Sequence, residues 1–277
     1  LSRLAFSTLP FGGWSLKKIA AFARESGFSA LELREGEEWS ITVDMSSTER
    51  REVCALFDAA GLNVLDIGSN VCLKGRDSDH AMSKHFEKVA RLAHDLKAQG
   101  VRIFLGHFND RRDNEVPEIS CESIIVSIRQ ACDYAASLGV QVWIETHNEF
   151  ATGRILRKLL HDVDRVNCAI IYDIIHPIEE GEAPADTIAH LGDACALIHM
   201  KDGVPFVDPM KIDWEYKKIG EGALPIGNII SLLNQAGYKG YYSLEWETKW
   251  RRELQVPGME PEAIFPDYVD YMKALSI

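Results

Sequence analysis

The chain has 277 residues, 46% of them hydrophobic, and a formal net charge of -12. That size and apolar content suit one α/β barrel filling residues 1–277 as a single domain, while the charge is wrong for displacing counterions from nucleic acid or for adsorbing to an anionic membrane, so neither partner is expected. No run approaches a membrane-spanning helix, no secretory leader is visible, and the six cysteines lack C-x-x-C spacing; free thiols in a reducing cytoplasm are the expectation.

The first apolar run closes at Thr8. Ser15 then opens a helix whose Ile19, Phe22 and Ala23 share one face. Ser26-Gly27-Phe28 leads into Ala30-Leu31-Glu32-Leu33, a strand ending at Arg34. Ser46-Ser47-Thr48-Glu49 has capping-box spacing, and Ala60-Gly61-Leu62 precedes a third strand ending near Ser69. Gln99-Gly100-Val101 precedes a fourth, ending near His107. Residues 120–138 place Ile124, Ile128, Ala131, Cys132 and Ala135 on one helical stripe. Leu138-Gly139-Val140 leads to a fifth strand ending at Glu145. The runs to Asp173 and His199 are the sixth and seventh, and Ala236-Gly237-Tyr238 introduces the eighth, ending at Glu245. Five copies of helix, left-handed glycine and strand imply parallel strands with crossover helices. Eight such strands at a spacing of roughly 34 residues, the size of one βα unit, predict a (β/α)8 TIM barrel. His80, His85, His94, His161 and His190 fall in the helices and read as solvated. Residues 203–222 and 249–261 read as loops over the catalytic end.

Glu145, Asp173, His199 and Glu245 each close an apolar run on successive strands. Barrel active sites lie at the C-terminal strand ends, so these four side chains are predicted to converge. Buried carboxylates need a cation beside them. Three carboxylates and one imidazole suit a single divalent ion: Mn²⁺, Mg²⁺ or Co²⁺, with Zn²⁺ also compatible. Strand alternation turns Lys201 the same way as His199, and His147 the same way as Glu145. His176 stands at the exit of the Asp173 strand. Arg34 and His107 end two further strands, and Trp14 offers an apolar wall. All six are candidate substrate contacts.

The run Leu4-Ala5-Phe6-Ser7-Thr8, Trp14-Ser15-Leu16 and Gly27-Phe28 leading to Leu31-Glu32-Leu33-Arg34 forms one set of motifs. Glu145-Thr146-His147-Asn148, Asp173-x-x-His176, His199-x-Lys201-Asp202, Gly220-Glu221-Gly222 and Gly237-Tyr238-x-Gly240-Tyr241 before Ser243-Leu244-Glu245 complete it. In order and spacing the whole chain resembles the xylose isomerase-like barrel superfamily, in particular its sugar phosphate isomerase/epimerase group. The resemblance implies that Glu145, Asp173, His199 and Glu245 bind the divalent metal. It implies that Glu145 and Glu245 flank the sugar as acid and base, and that His176 meets substrate or its developing oxyanion. The expected enzyme is therefore a metal-dependent isomerase or epimerase of a small carbohydrate or cyclic polyol ketone, working through an enediolate. Such barrels often pair, so a homo-oligomer is compatible with it.

Three alternatives share the barrel. Glu145-Thr146-His147, His199-x-Lys201 and Arg102 are reminiscent of 3-dehydroshikimate dehydratase, and a dehydratase of that or the inosose type would expel a β-hydroxyl. An apurinic endonuclease is disfavoured, because the third strand carries no histidine and Asp213-Trp214-Glu215 lacks the needed one. A non-catalytic sugar-binding barrel would have lost a ligand or glutamate, and none is lost. Glu32 reads as a buried partner for a polar neighbour, and Arg251 and Arg252 as surface residues.

Overall fold

The computed structural model describes residues 3–75, 79–107, 119–206 and 213–277. Residues 207–212 of the expected covering loop lie outside this set. In chain order the strands are β1 (Leu4–Phe6), β2 (Ala30–Arg34), β3 (Asn63–Leu73), β4 (Gly100–Leu105), β5 (Gln141–Glu145), β6 (Cys168–Asp173), β7 (Cys195–Met200), β8 (Asp202–Pro205), β9 (Trp214–Lys217) and β10 (Tyr241–Leu244). Eight of them lie parallel in the order β1-β10-β7-β6-β5-β4-β3-β2, while β8 and β9 form a separate antiparallel ribbon. The two sheet edges meet at Ser7 and Glu32. There the Thr8 N–H donates to the Glu32 carbonyl at 3.0 Å, and the Thr8 hydroxyl accepts from the Arg34 N–H at 2.8 Å. The barrel predicted from the repeated units is the one observed.

The helices between the strands are α1 (Leu16–Ser26), α2 (Ser47–Ala60), α3 (Asp79–Asp95), α4 (Cys121–Ala136), α5 (Gly153–Val163), α6 (Ile175–Glu179), α7 (Pro184–Leu191), α8 (Ile226–Gln235) and α9 (Pro261–Ala274). Ser15 caps α1, and Ser46 with Glu49 forms a reciprocal capping box on α2. Gly27 closes α1 at φ 90°, where a side chain would be strained. Gly100 departs from the pattern. Lys97 takes the left-handed turn after α3 at φ 57°, and Gly100 is the first residue of β4. A Cβ there would lie 2.7 Å from the Trp143 ring, so the glycine makes room for an indole rather than for a turn.

The barrel interior is layered. Ala5, Ala30, Leu65, Trp143, Ile171 and Leu197 form an apolar floor. Two residues further along β2, β5, β6 and β7 come Glu32, Glu145, Asp173 and His199, joined by Arg102 of β4 and Ser243 of β10, all buried. Outward-facing strand residues pack on the helices, and α9 completes the shell. Phe265 of α9 lies 5.2 Å from Phe6 and 5.1 Å from Phe11 between ring centroids. All six cysteines are free, and Cys121 is exposed. The floor fixes the height of the polar layer above it, so truncating it should be costly. Leu197→Ala is expected to lower stability by about 2–5 kcal/mol, measured as a drop in the urea unfolding midpoint.

Candidate metal centre and active site

Glu145 and Asp173 are the last residues of β5 and β6, His199 lies near the end of β7, and Glu245 follows β10. One donor atom from each lies within 4.8 Å of all the others, and all four residues are buried. Local bonds hold them in step. The Thr146 hydroxyl accepts from the Asp173 N–H at 2.8 Å and donates to the Asp173 carbonyl at 3.2 Å, which locks the ends of β5 and β6 together. Asp173 Oδ1 accepts from the Ile175 N–H at 3.0 Å as the chain turns into α6. That leaves Oδ2 facing inward.

His199 is oriented from behind. Its Nε2 lies 2.8 Å from Glu32 Oε2, and the Ser243 hydroxyl donates to Glu32 Oε1. Nδ1 is thereby turned to the cluster, 3.4 Å from Glu145 Oε1 and 3.3 Å from Glu245 Oε2. A carboxylate behind an imidazole is the usual support for a metal-ligating histidine. The expectation that Glu32 serves a polar neighbour is met.

Two cations press on the carboxylates. Arg102 Nη1 lies 3.0 Å from Glu145 Oε2. Lys201 Nζ lies 2.6 Å from Asp173 Oδ2, 2.6 Å from Glu245 Oε2 and 2.7 Å from Glu247 Oε1. Burial and Glu245 push Glu145 up, but Arg102 and His199 outweigh them and hold it down to about 2. Burial likewise opposes Glu245, which Lys201 and His199 hold well below the ordinary carboxylate range. Burial raises Asp173, and Lys201 and His176 offset this only in part. Burial works against a charged His199, yet Glu32, Glu245 and Glu145 lift it well above the usual imidazole range.

The donor set fits a divalent ion. His199 Nδ1 is fully buried and makes no hydrogen bond, and neither does Asp173 Oδ2, which faces the Lys201 ammonium at 2.6 Å and His176 Nε2 at 3.5 Å. The pull of the carboxylates on a His199 proton has the same origin as their attraction for a cation.

The remaining expected residues divide. His147 and His176 stand beside the cluster with ring centroids 4.3 Å apart. Burial and then His176 bring His147 down to about 4, whereas Asp173 and Glu179 overcome burial and raise His176 to about 9. Arg34 is buried, but its Nη1 donates to the carbonyls of Glu35 (3.0 Å) and Gly68 (2.6 Å), and its Nη2 to Asn70. Burial and the neighbouring Arg102 lower it to about 10. His107 is clamped by Glu149, which accepts from its N–H at 2.8 Å and lies 3.2 Å from its Nδ1. Trp14 faces the aromatic rings of Phe11 and Phe22. It packs edge-on against Phe11 at 4.9 Å, with Lys18 Nζ 3.1 Å over its ring. His85 of α3 stays partly exposed, with its Nε2 3.0 Å from Glu35 Oε1.

Several residues of the site escaped the strand-end criterion. Glu247 sits two after Glu245, and that spacing was the available signal. Arg102 is a charge inside the apolar run Val101-Arg102-Ile103, a marker of an inward position. Arg251, expected at the surface, places Nη1 2.9 Å from Asp213, Nη2 3.1 Å from the Tyr216 hydroxyl and Nε 3.4 Å from Glu247. It thus ties β9 to the loop after β10. Asp202 explains Gly220-Glu221-Gly222: its carboxylate accepts from the N–H groups of Gly203, Gly220, Gly222 and Leu224. A Cβ on Gly222 would fall 2.0 Å from Asp202 Oδ1.

The xylose isomerase-like TIM barrel family profile matches residues 20–275. The chain is 26% identical over 191 residues to 3-dehydroshikimate dehydratase of Bacillus anthracis, covering 68% of this chain and 66% of that relative. The crystal structure of the probable 3-DHS dehydratase AsbF from the same organism superposes with a TM-score of 0.77 at 20% identity, covering 98% of both chains. L-ribulose 3-epimerase superposes with a TM-score of 0.78 at 15% identity, covering 99% of this chain and 94% of that one. At these identities the structural likenesses show the fold.

Ligation at His199 Nδ1 requires loss of its proton. Divalent-metal affinity should therefore rise by about tenfold per pH unit from the acid side, as one proton is released per ion bound. Glu32→Gln should weaken it by about 10–100-fold. Calorimetric titration with Mn²⁺ across pH measures both.

Proposed function

The chain belongs to the xylose isomerase-like TIM barrel family, and from that membership we propose a divalent-metal-dependent enzyme that removes the proton beside the carbonyl of a small polyhydroxylated ketone. The observation that carries this reading is the meeting of three buried carboxylates and His199 Nδ1 within 4.8 Å. Glu145, Asp173, His199 and Glu245 would hold the metal, which when bound supplies Lewis-acid polarisation of the ketone.

The chain's own groups divide the proton work unevenly. A two-glutamate exchange, as in epimerisation, asks each glutamate for a free oxygen. Glu145 has Oε1 turned to His199 and Oε2 held by Arg102. Glu245 directs Oε2 to His199 and Lys201, and its Oε1 meets no donor among the described residues. Glu245 Oε1 is thus the base, and Glu145 chiefly a ligand. One base that takes a proton from one carbon and returns it to the next performs isomerisation. Lys201 and Arg102, both buried and cationic, supply positive charge where the substrate oxygens become anionic.

A second reading is β-elimination, favoured by the two histidines. His147 is neutral at pH 7 and His176 protonated. Paired groups with separated pKa values suit one acid and one base. The relationship to 3-dehydroshikimate dehydratase, spanning 66% of that protein, supports it. His176 would protonate the departing hydroxyl.

Glu245→Gln should slow solvent deuterium incorporation into a ketone substrate by about 10²–10⁴-fold, and more than Glu145→Gln does; equal exchange in both variants refutes the one-base assignment. His176→Asn separates the readings. Under elimination it stops the rise in ultraviolet absorbance from an enone product and leaves deuterium exchange intact. Under isomerisation no such absorbance arises.

A further inference from the structure

A cleft of about 960 Å³ opens at the opposite end of the barrel, lined by the first residues of β5 and β6, Gln141 and Cys168, and by Ala196 near the start of β7. Its charge is contrary to the chain's. The sequence has 42 acidic and 30 basic residues, yet the described cleft walls carry Arg154, Arg157, Lys158, Arg165, His161 and His190 against one acid, Asp193. Positions 154, 157, 158 and 161 follow the i, i+3, i+4, i+7 spacing of one helix face, so α5 presents a basic stripe to the cleft.

Two of these cations are already neutralised. Lys158 Nζ lies 2.6 Å from Asp162 Oδ2, and Arg165 Nη2 donates to Asp133 Oδ2 at 3.1 Å. The guanidiniums of Arg154 and Arg157 meet no carboxylate among the described residues. The N-terminus of α5 is separately occupied by Glu182, whose carboxylate accepts from the Gly153 and Arg154 N–H groups. The two arginine side chains therefore remain as uncommitted planar donors on one face. Apolar surface accompanies them: Leu160 lines the wall, and Val166 at its edge is fully exposed. The volume falls in the range of small-molecule sites.

We propose that this cleft binds a small phosphate-bearing polyanion with an apolar body, its charge paired by Arg154 and Arg157 and its body resting on Leu160 and Val166. A long nucleic acid would meet the repulsion of a chain with net charge -12, whereas a small polyanion lies wholly within the basic stripe. The site is separate from the carboxylate cluster, and its occupation does not depend on the chemistry proposed there.

Titration calorimetry of the full chain with inorganic pyrophosphate in low salt and EDTA tests it. Saturable one-to-one binding is expected, weakened by added KCl. The Arg154→Gln/Arg157→Gln double variant should lose about a hundredfold in affinity, the loss of two charge-assisted donors, with its melting temperature unchanged. Asp173→Asn should bind pyrophosphate like the parent. Absence of saturable binding, equal affinity in the double variant, or loss in Asp173→Asn alone overturns the proposal.

Discussion

The repulsion between Glu145, Asp173 and Glu245, buried with donor atoms within 4.8 Å, is the constraint around which the barrel mouth is built. Two unit charges about 4 Å apart repel by about 4 kcal/mol at an effective dielectric of about 20, so three cannot stand together without cations. The fold brings Arg102 to one and Lys201 to the other two, and the carboxylates draw a proton onto His199. A dication answers the same demand with one charge centre in place of a proton.

Rigidity comes from bonds made away from the reacting face. Thr146 locks β5 to β6, Glu32 with Ser243 sets the rotation of His199, and Asp202 gathers four backbone N–H groups to fold the β8–β9 ribbon back over the mouth. Tyr216 and Arg251 then carry that ribbon to Glu247, which touches Lys201. The ammonium at the centre of the site is thereby held by Asp173 of β6, the Tyr216 ring of β9 and the glutamates after β10. Fixed charges of this kind need no reorganisation when a substrate oxygen becomes anionic.

The division of labour proposed for the two glutamates rests on one contact. Because Arg102 holds Glu145 Oε2, the site is less symmetric than two glutamates flanking a sugar would be. The same barrel frame accommodates epimerases and a dehydratase among proteins similar to this chain. In this chain His176 and His147 stand side by side, the first raised and the second lowered from the ordinary imidazole range.

The barrel and the four-residue cluster were legible in the sequence because both rest on local regularities. Glycine after a helix forces a turn into a strand, and an acid or histidine closing a buried strand marks the open end of a parallel barrel. Period-two spacing likewise pointed to Lys201 and His147. Other assignments depend on partners distant in sequence. Trp14 meets Phe11 and Phe22, Arg34 donates to Gly68 and Asn70, and Arg251, read from the sequence as a surface residue, meets Asp213 and Tyr216. The sequence alone determined which residues could share the barrel mouth, since strand periodicity sets facing. Only the tertiary structure decided which oxygen of each carboxylate stays free, since that depends on contacts between residues far apart in the chain, as between Glu32 and His199 or Arg102 and Glu145.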